Sequence, residues 1–247
     1  MVKNKGIQKN GKSVVLITGA TGYIGGRLMT VVDRSKYKIR CFVRNPDYIQ
    51  KNSIEGGEIV QGDILDKKSL LMAMEGVDMA YYLVHSMGGN GNNFEELDRV
   101  GALNFIECAD AAGIKKIVYF GGLGDVSSDL SPHLRSRHEV GEILRSGKAQ
   151  IVELQASIVI GSGSISFEMI RALVERLPIM ITPRWVSTLA QPIAIDDVLQ
   201  YLKSSGEMEF KGNQIFQIGG TDVVSYGQLM EEYATQRKLK RIMIKVP

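Results

Sequence analysis

The chain has 247 residues, 44% of them hydrophobic and 23% charged, with a formal net charge of +3. This is the composition of an ordinary soluble globular protein long enough for one large α/β domain, and the small, scattered charge gives no argument for nucleic acid or a membrane surface. Only two cysteines occur, Cys41 and Cys108; they read as small buried apolar residues in a reduced, cytoplasmic setting, and no run approaches the length of a membrane span.

Taken in order, residues 1–12 are polar and basic and read as a flexible lead-in. Residues 14–18 are apolar or β-branched and predict a buried strand, which Gly19, Gly22 and Gly25 break. A helix follows over 23–33, with Ile24, Leu28, Val31 and Val32 at helical spacing. Strand, glycine turn and helix in that order suit a dinucleotide. Gly19 lets the chain leave the strand tightly, Gly22 lets a pyrophosphate approach the backbone, and Gly25 lets helix and strand pack closely. The helix N-terminus then faces the phosphates.

A second strand is predicted over 38–43, a short helix over 47–51, a third strand over 58–60, and a helix over 66–75 that Asp66 would cap. A fourth strand over 78–84, a long helix over 94–112 ending at Gly113, and a fifth strand over 115–120 complete the first half. In the second half the pattern predicts a helix over 133–145, a strand over 150–160 and a helix over 166–177. Pro178, Pro183 and Pro192 mark an irregular stretch, followed by a helix over 196–204, a strand over 214–218 and a helix over 226–237. There is no linker. The expectation is one α/β domain over 13–247, a Rossmann-type doubly wound parallel sheet, with 178–247 forming a small elaborated C-terminal lobe on the substrate side. Because 239–247 reads as a strand or connection with no polar tail after it, the chain is expected to be the N-terminal part of a longer protein.

The run Thr18-Gly19-Ala20-Thr21-Gly22-Tyr23-Ile24-Gly25 resembles the cofactor loop of extended and atypical short-chain dehydrogenase/reductases, in particular the NmrA-like NAD(P)-binding branch. Val43-Arg44-Asn45-Pro46, Gly62-Asp63, residues 119–124 and residues 192–198 agree with it, so the resemblance covers most of the chain. It implies a dinucleotide cofactor held by Gly19, Ala20, Thr21, Gly22, Tyr23, Ile24 and Gly25, with Asp63 and the Ile64 backbone on the adenine and Leu83, Val84 and His85 under the ribose and nicotinamide side. The end of the second strand carries no acid for the ribose hydroxyls. Arg44 can instead grip a 2′-phosphate, with Arg27 assisting, so NADP (NADPH) is expected in preference to NAD.

In the superfamily resembled, a serine after the fifth strand and a Tyr-x-x-x-Lys pair on the next helix carry the chemistry. Here the serine position is a glycine, and His133 and Arg137 stand where the tyrosine and lysine are expected. Four residues apart, they share a helical face. Arg137 can bond the nicotinamide ribose but cannot relay a proton, whereas His133 can act as an acid, weakened by a nearby arginine. Gly121, Gln155, Ser157 and Trp185, with Ile179, Met180 and Ile181, are expected to line a largely apolar substrate pocket. Asp196 or Asp197 reads as an N-cap, and Asp125, Ser127 and Ser128 as weak site candidates. No metal site is expected, because His85, His133 and His138 lack acids or cysteines at ligand spacing.

Three functions follow. The first is an NADP-preferring oxidoreductase acting on a small apolar carbonyl or quinone without the usual triad. The second is a non-catalytic NAD(P)-binding redox sensor that reports to a protein partner. The third is nucleotide-sugar epimerase or dehydratase work. No nucleic-acid partner is expected.

Overall fold

A computed structural model of the protein describes residues 11–49, 54–86, 93–124 and 130–245. Strand β1 (Ser13–Thr18), helix α1 (Tyr23–Val31), β2 (Tyr37–Val43), β3 (Glu58–Gln61), α2 (Lys67–Met74), β4 (Met79–Tyr82), α3 (Phe94–Ala112) and β5 (Lys116–Gly122) make the first half. Helix α4 (Pro132–Arg145) and β6 (Gln150–Ala156) follow, and a late strand, β11 (Gln214–Ile218), closes the sheet. The seven strands run in the order β3-β2-β1-β4-β5-β6-β11. Every neighbouring pair is parallel, so the doubly wound sheet expected from the alternation is the architecture found. Order reverses between β1 and β4, and that switch point is where such sheets open a crevice at the carboxyl ends of their strands.

Alternation along β1 divides the core. Val15 and Ile17 pack with Leu28, Cys41, Val118, Val152 and Leu202 on one face of the sheet. Leu16 packs with Phe105, Tyr82, Ile117, Tyr119 and Leu144 on the other. Both layers are apolar, as a parallel sheet covered on two faces requires. Buried Thr18 ties β1 to the end of β4: its hydroxyl donates to the Tyr81 carbonyl (3.0 Å) and accepts from the Leu83 N–H (3.3 Å). Asp66 caps α2 as expected, accepting from the amides of Lys68 and Ser69.

The second half departs from the expected pattern in three places. The apolar run predicted as one strand over 150–160 is two, β6 and then β7 (Ile158–Ile160), which turns away at Ser157 and pairs with β10 (Pro192–Ala194). A continuous apolar run does not record a change of partner. The proline-rich stretch predicted to be irregular holds β8 (Ile179–Thr182), a 3₁₀ turn at Arg184–Ser187, β9 (Leu189–Ala190) and β10. Pro192 is tolerated because it opens its strand, where a missing N–H costs little. Helix α6 (Ile195–Glu207) begins before Asp196 and Asp197, which lie in its first turn; neither is the N-cap, which is Ala194. The predicted short helix over 47–51 is a 3₁₀ turn at Pro46–Tyr48 as far as the described residues go.

Helix α5 (Ile165–Arg176), β12 (Val224–Ser225), α7 (Tyr226–Gln236) and β13 (Ile242–Lys245) group with β7, β8 and β9 in a small lobe. Its bounds differ from the expected 178–247: α6 packs on the main core and β11 is a strand of the main sheet, while Ile158 and α5 join the lobe. Strand β13 pairs in parallel with β8, and β12 runs antiparallel to β9. The lobe has an apolar cluster of its own, built on Ile158, Ile170, Val174, Met180 and Met230.

Candidate functional site

The turn after β1 has the geometry its glycines suggest. Gly19 is left-handed, φ +70°, and a Cβ there would lie 2.5 Å from the Leu83 carbonyl oxygen. A Cβ on Gly25 would collide with the Gly19 carbonyl, so α1 presses directly against the turn. Gly22 occupies the α1 N-cap and offers no side chain to cap it, which leaves the helix end suited to an anion.

A cleft of about 400 Å³ runs from this turn along the strand ends. Gly19, Thr21 and Gly22 close one end; Phe42, Val43, Arg44 and Gly62 to Leu65 form one wall; Leu83 to Ser86 and Leu97 form the other. Of the predicted cofactor residues, Gly19, Thr21, Gly22, Arg44, Asp63, Ile64, Leu83, Val84 and His85 therefore share one cavity. Ala20 and Gly25 are buried behind the turn, with Ile24 packed against the core beside them.

Arg44 is exposed at the rim. Asp63 holds an Asx turn, its Oδ1 accepting from the Leu65 N–H (2.9 Å). Arg27 is placed differently from the expectation. Its guanidinium lies 4.1 Å over the Tyr23 ring and donates to the carbonyls of Ser162 (2.8 Å) and Tyr23 (3.2 Å), and Arg27 is not among the residues that line the cleft with Arg44.

At the far end of the cleft three ionisable side chains meet. His85 Nδ1 is 2.7 Å from Asp98 Oδ2, and His85 Nε2 is 3.2 Å from His133 Nδ1. Asp98, only 5% exposed, also accepts from the Ser86 N–H (2.8 Å) and the Ser136 hydroxyl (3.0 Å). His133 stacks on Phe94, the ring centroids 4.6 Å apart. Burial, then the neighbouring His85 and Arg137, lower the His133 pKa against the pull of Asp98 and Glu95. The weakening by Arg137 was anticipated; burial and His85 act more strongly. Among the described residues, no group of three or more His, Cys, Asp or Glu is arranged to hold a metal ion.

Arg137 lies against the end of β5. Its Nη2 donates to the Phe120 carbonyl (2.6 Å), while its buried Nε has no hydrogen-bond partner, so one donor is unspent beside the site. Tyr119 contributes no acid here. Its hydroxyl donates to the Arg137 carbonyl (2.8 Å), and burial pushes its pKa up to about 12.

The expected substrate pocket is not assembled from the residues proposed for it. Gln155 is buried, its amide donating to Glu153 Oε1 (2.8 Å), and Glu153 is in turn paired with Arg145. Gly121 faces the same polar cluster, since a Cβ there would lie 3.1 Å from Glu153 Oε1. Alternation along β5 and β6 turns both positions under α4. Ser157 is exposed at the β6–β7 bend, and Ile179 and Ile181 point outward while Met180 enters the lobe core. Trp185 packs edge-on to Tyr226, centroids 5.6 Å apart, in the lobe. Asp125, Ser127 and Ser128 lie outside the described residues.

Asp98 and Phe94 were missed. The available signal was an acid on the apolar face of α3, in register with Phe94, Gly101, Ala102 and Phe105.

The arrangement can hold an elongated anionic ligand, with a proton-carrying group at one end. A model of the NmrA-like family matches residues 11–160. Among curated relatives, cinnamoyl-CoA reductase 1 of Petunia hybrida is 28% identical over 123 residues, 47% of this chain and 37% of that protein. The match spans little more than a third of that relative's length. The structure of MoeE5 in complex with UDP-glucuronic acid and NAD superposes with a TM-score of 0.77 at 18% identity, covering 96% of this chain and 85% of that one. The triphenylmethane reductase of Citrobacter sp. complexed with NADP(H) gives 0.76 at 21% identity, covering 95% and 79%. At these identities the likeness is one of fold. Among the described residues no helix is long and apolar enough to cross a membrane.

Proposed function

Because the chain belongs to the NmrA-like family, we propose that it binds a nicotinamide dinucleotide in the strand-end cleft, prefers NADP(H), and moves hydride between that cofactor and a small, fairly apolar carbonyl or quinone. The observation that carries this reading is the single cleft joining the glycine turn, Arg44 and His85. Its residues fit the cofactor: a glycine cradle at the N-cap of α1, an exposed guanidinium at the end of β2, and the unspent Arg137 Nε–H.

Each residue has a defined task. The first amides of α1 receive the pyrophosphate, and Arg44 grips the 2′-phosphate with its planar fork. Asp63 keeps Oδ2 for the adenine amino group while Oδ1 holds its turn. Leu83 and Val84 underlie the ribose, and Arg137 donates to the nicotinamide ribose. When bound, the cofactor supplies or accepts the hydride. His133 supplies the proton, exposed at the edge of the site and held flat by Phe94.

The relatives named above support a nicotinamide cofactor of either kind, since one structure holds NAD and another NADP(H). The preference for NADP rests on Arg44. Calorimetric titration with NADPH, NADP⁺, NADH and NAD⁺, on the wild type and Arg44→Ala, tests it. A carbonyl and quinone turnover screen, with His133→Ala as control, tests the chemistry. A second reading, a redox sensor that binds without turnover, is favoured by the engaged Tyr119 hydroxyl, which leaves no phenolic acid at the end of β5. Tight binding with no turnover selects it, and binding of none of the four cofactors sinks both. Epimerase or dehydratase work on a nucleotide sugar ranks below these, because it normally needs the Tyr-Lys pair that His133 and Arg137 replace.

A further inference from the structure

Asp98, His85 and His133 come from three different segments, α3, the turn after β4 and the first turn of α4, and they stand in one hydrogen-bonded line. The Asp98 carboxylate is fixed by the Ser86 amide and by the Ser136 hydroxyl, which also ties α3 to α4. A carboxylate only accepts, so His85 Nδ1 carries a hydrogen, and Nε2 is the nitrogen left to exchange a proton with His133. The line starts in the core at Asp98 and ends at an exposed imidazole.

We infer that Asp98, His85 and His133 form a proton relay in which His133 hands a proton from Nε2 to the substrate while its Nδ1 takes one from His85 Nε2. The inference rests on the oxidoreductase reading above. In the loaded state His85 carries hydrogens on both nitrogens beside the Asp98 carboxylate, and neutral His133 carries its hydrogen on Nε2. Hydride reaches the carbonyl carbon and the C=O π pair moves to oxygen. The oxygen takes the His133 Nε2 proton, whose bonding pair stays on nitrogen, and the Nδ1 lone pair takes the His85 proton. The product is an alcohol. The histidine pair has lost one proton and Asp98 is unchanged. Water restores the proton at His133 Nε2, and the Nδ1 hydrogen passes back to His85.

This arrangement overcomes a weakness of His133 as a lone acid. Its burial, His85 and Arg137 all disfavour a charge on its own ring. In the relay the charge waits beside Asp98 and reaches His133 only as a proton leaves. Among the described residues, the charged groups acting on His133 besides His85 are Asp98 and Glu95 from α3 and Arg137 from α4, with the apolar Phe94 stacked on its ring. His133 touches the substrate and is the catalytic residue; His85 and Asp98 act through it.

The relay predicts a tautomer change that packing alone would not produce. When the pair takes up its first proton, the hydrogen of His133 moves from Nδ1 to Nε2. Long-range ¹H–¹⁵N NMR of the ring nitrogens, recorded against pH on the whole chain without cofactor, reads this directly. The expected result is a switch of His133 tautomer in the wild type that disappears in His85→Asn, whose amide keeps the bond to Asp98 but passes no proton. A single His133 tautomer across the wild-type titration overturns the relay, as does a switch that survives in His85→Asn. The wild-type measurement stands even where the variant fails to fold.

Turnover separates the relay from the reading beneath it. A tautomer switch without carbonyl or quinone reduction keeps the relay and sinks the oxidoreductase; reduction without the switch does the reverse. Where both hold, His133→Ala is expected to lower kcat by about 10²-fold, the lower end of general-acid effects. His85→Asn is expected to lower it about tenfold and to alter the fall in kcat with rising pH that the relay predicts for the wild type.

Discussion

Arg44 stands at the cleft rim with its guanidinium exposed, and its effect on cofactor choice is the most direct residue-level test of the site. Charge-assisted hydrogen bonds are worth about 1.5–3 kcal/mol each. Arg44→Ala is therefore expected to weaken NADPH by roughly 10–100-fold while changing NADH by less than about twofold, read by calorimetry. Asp98 makes a second prediction. Burial acts to raise its pKa, but the bonds from His85 and Ser86 and the nearby histidine charge outweigh it and hold the carboxyl below its ordinary value. A folded pKa below the unfolded one contributes stability that is present above about pH 4 and lost as pH falls through the folded value. Asp98→Asn is expected to cost about 1–3 kcal/mol at pH 7 and to flatten the acid limb of a denaturation series below about pH 4. Arg44, Asp63 and His85 could be placed in one cleft from the sequence because each follows the end of a strand by one to three residues. The line through Asp98 was not. His85 and His133 are 48 positions apart, and only the packing of α3 beside α4 brings them together.

At the scale of elements, α1 and the turn before it form one unit. A methyl on Gly25 would meet the Gly19 backbone, which cannot swing aside as a side chain can. Gly25→Ala is expected to destabilise the fold by about 1–3 kcal/mol and to abolish cofactor binding, measured by urea unfolding and calorimetry on the same sample. Helix starts give a contrast. Asp66 accepts from two amides of α2, whereas Asp196 stands inside the first turn of α6, past its N-cap Ala194. Asp66→Ala is expected to cost about 1 kcal/mol and Asp196→Ala no more than a few tenths, compared by denaturant midpoints. The two aspartates looked alike because a shift of two residues in helix start, from Asp196 to Ala194 as the cap, separates cap from first turn. Strand pairing shows a similar limit. Period and apolarity located the run over 150–160, but its division between the β5–β11 sheet and the small β7–β10 pair depends on partners distant in the chain.

Across the whole molecule, the strand-end cleft and the lobe are built from different parts of the chain. Every residue lining the cleft precedes Asp98, while the lobe folds around its own cluster of Ile158, Ile170, Val174 and Met230. A cofactor that binds only the folded state at 100 times its Kd contributes about 2.7 kcal/mol. For a chain of this size that corresponds to a rise in Tm of roughly 5–10 °C, expected to be larger with NADPH than with NADH at equal concentration. Because local opening follows local contacts, the protection need not spread evenly. Hydrogen exchange with NADPH is expected to slow the amides of residues 19–22, 43–45, 62–65 and 83–86 and to leave residues 179–194 and 226–236 unchanged. A substrate held between cleft and lobe would extend protection to the second group when added with the cofactor. Protection of the lobe by cofactor alone would instead mean that the two parts open as one unit, and that the lobe closes on the dinucleotide itself.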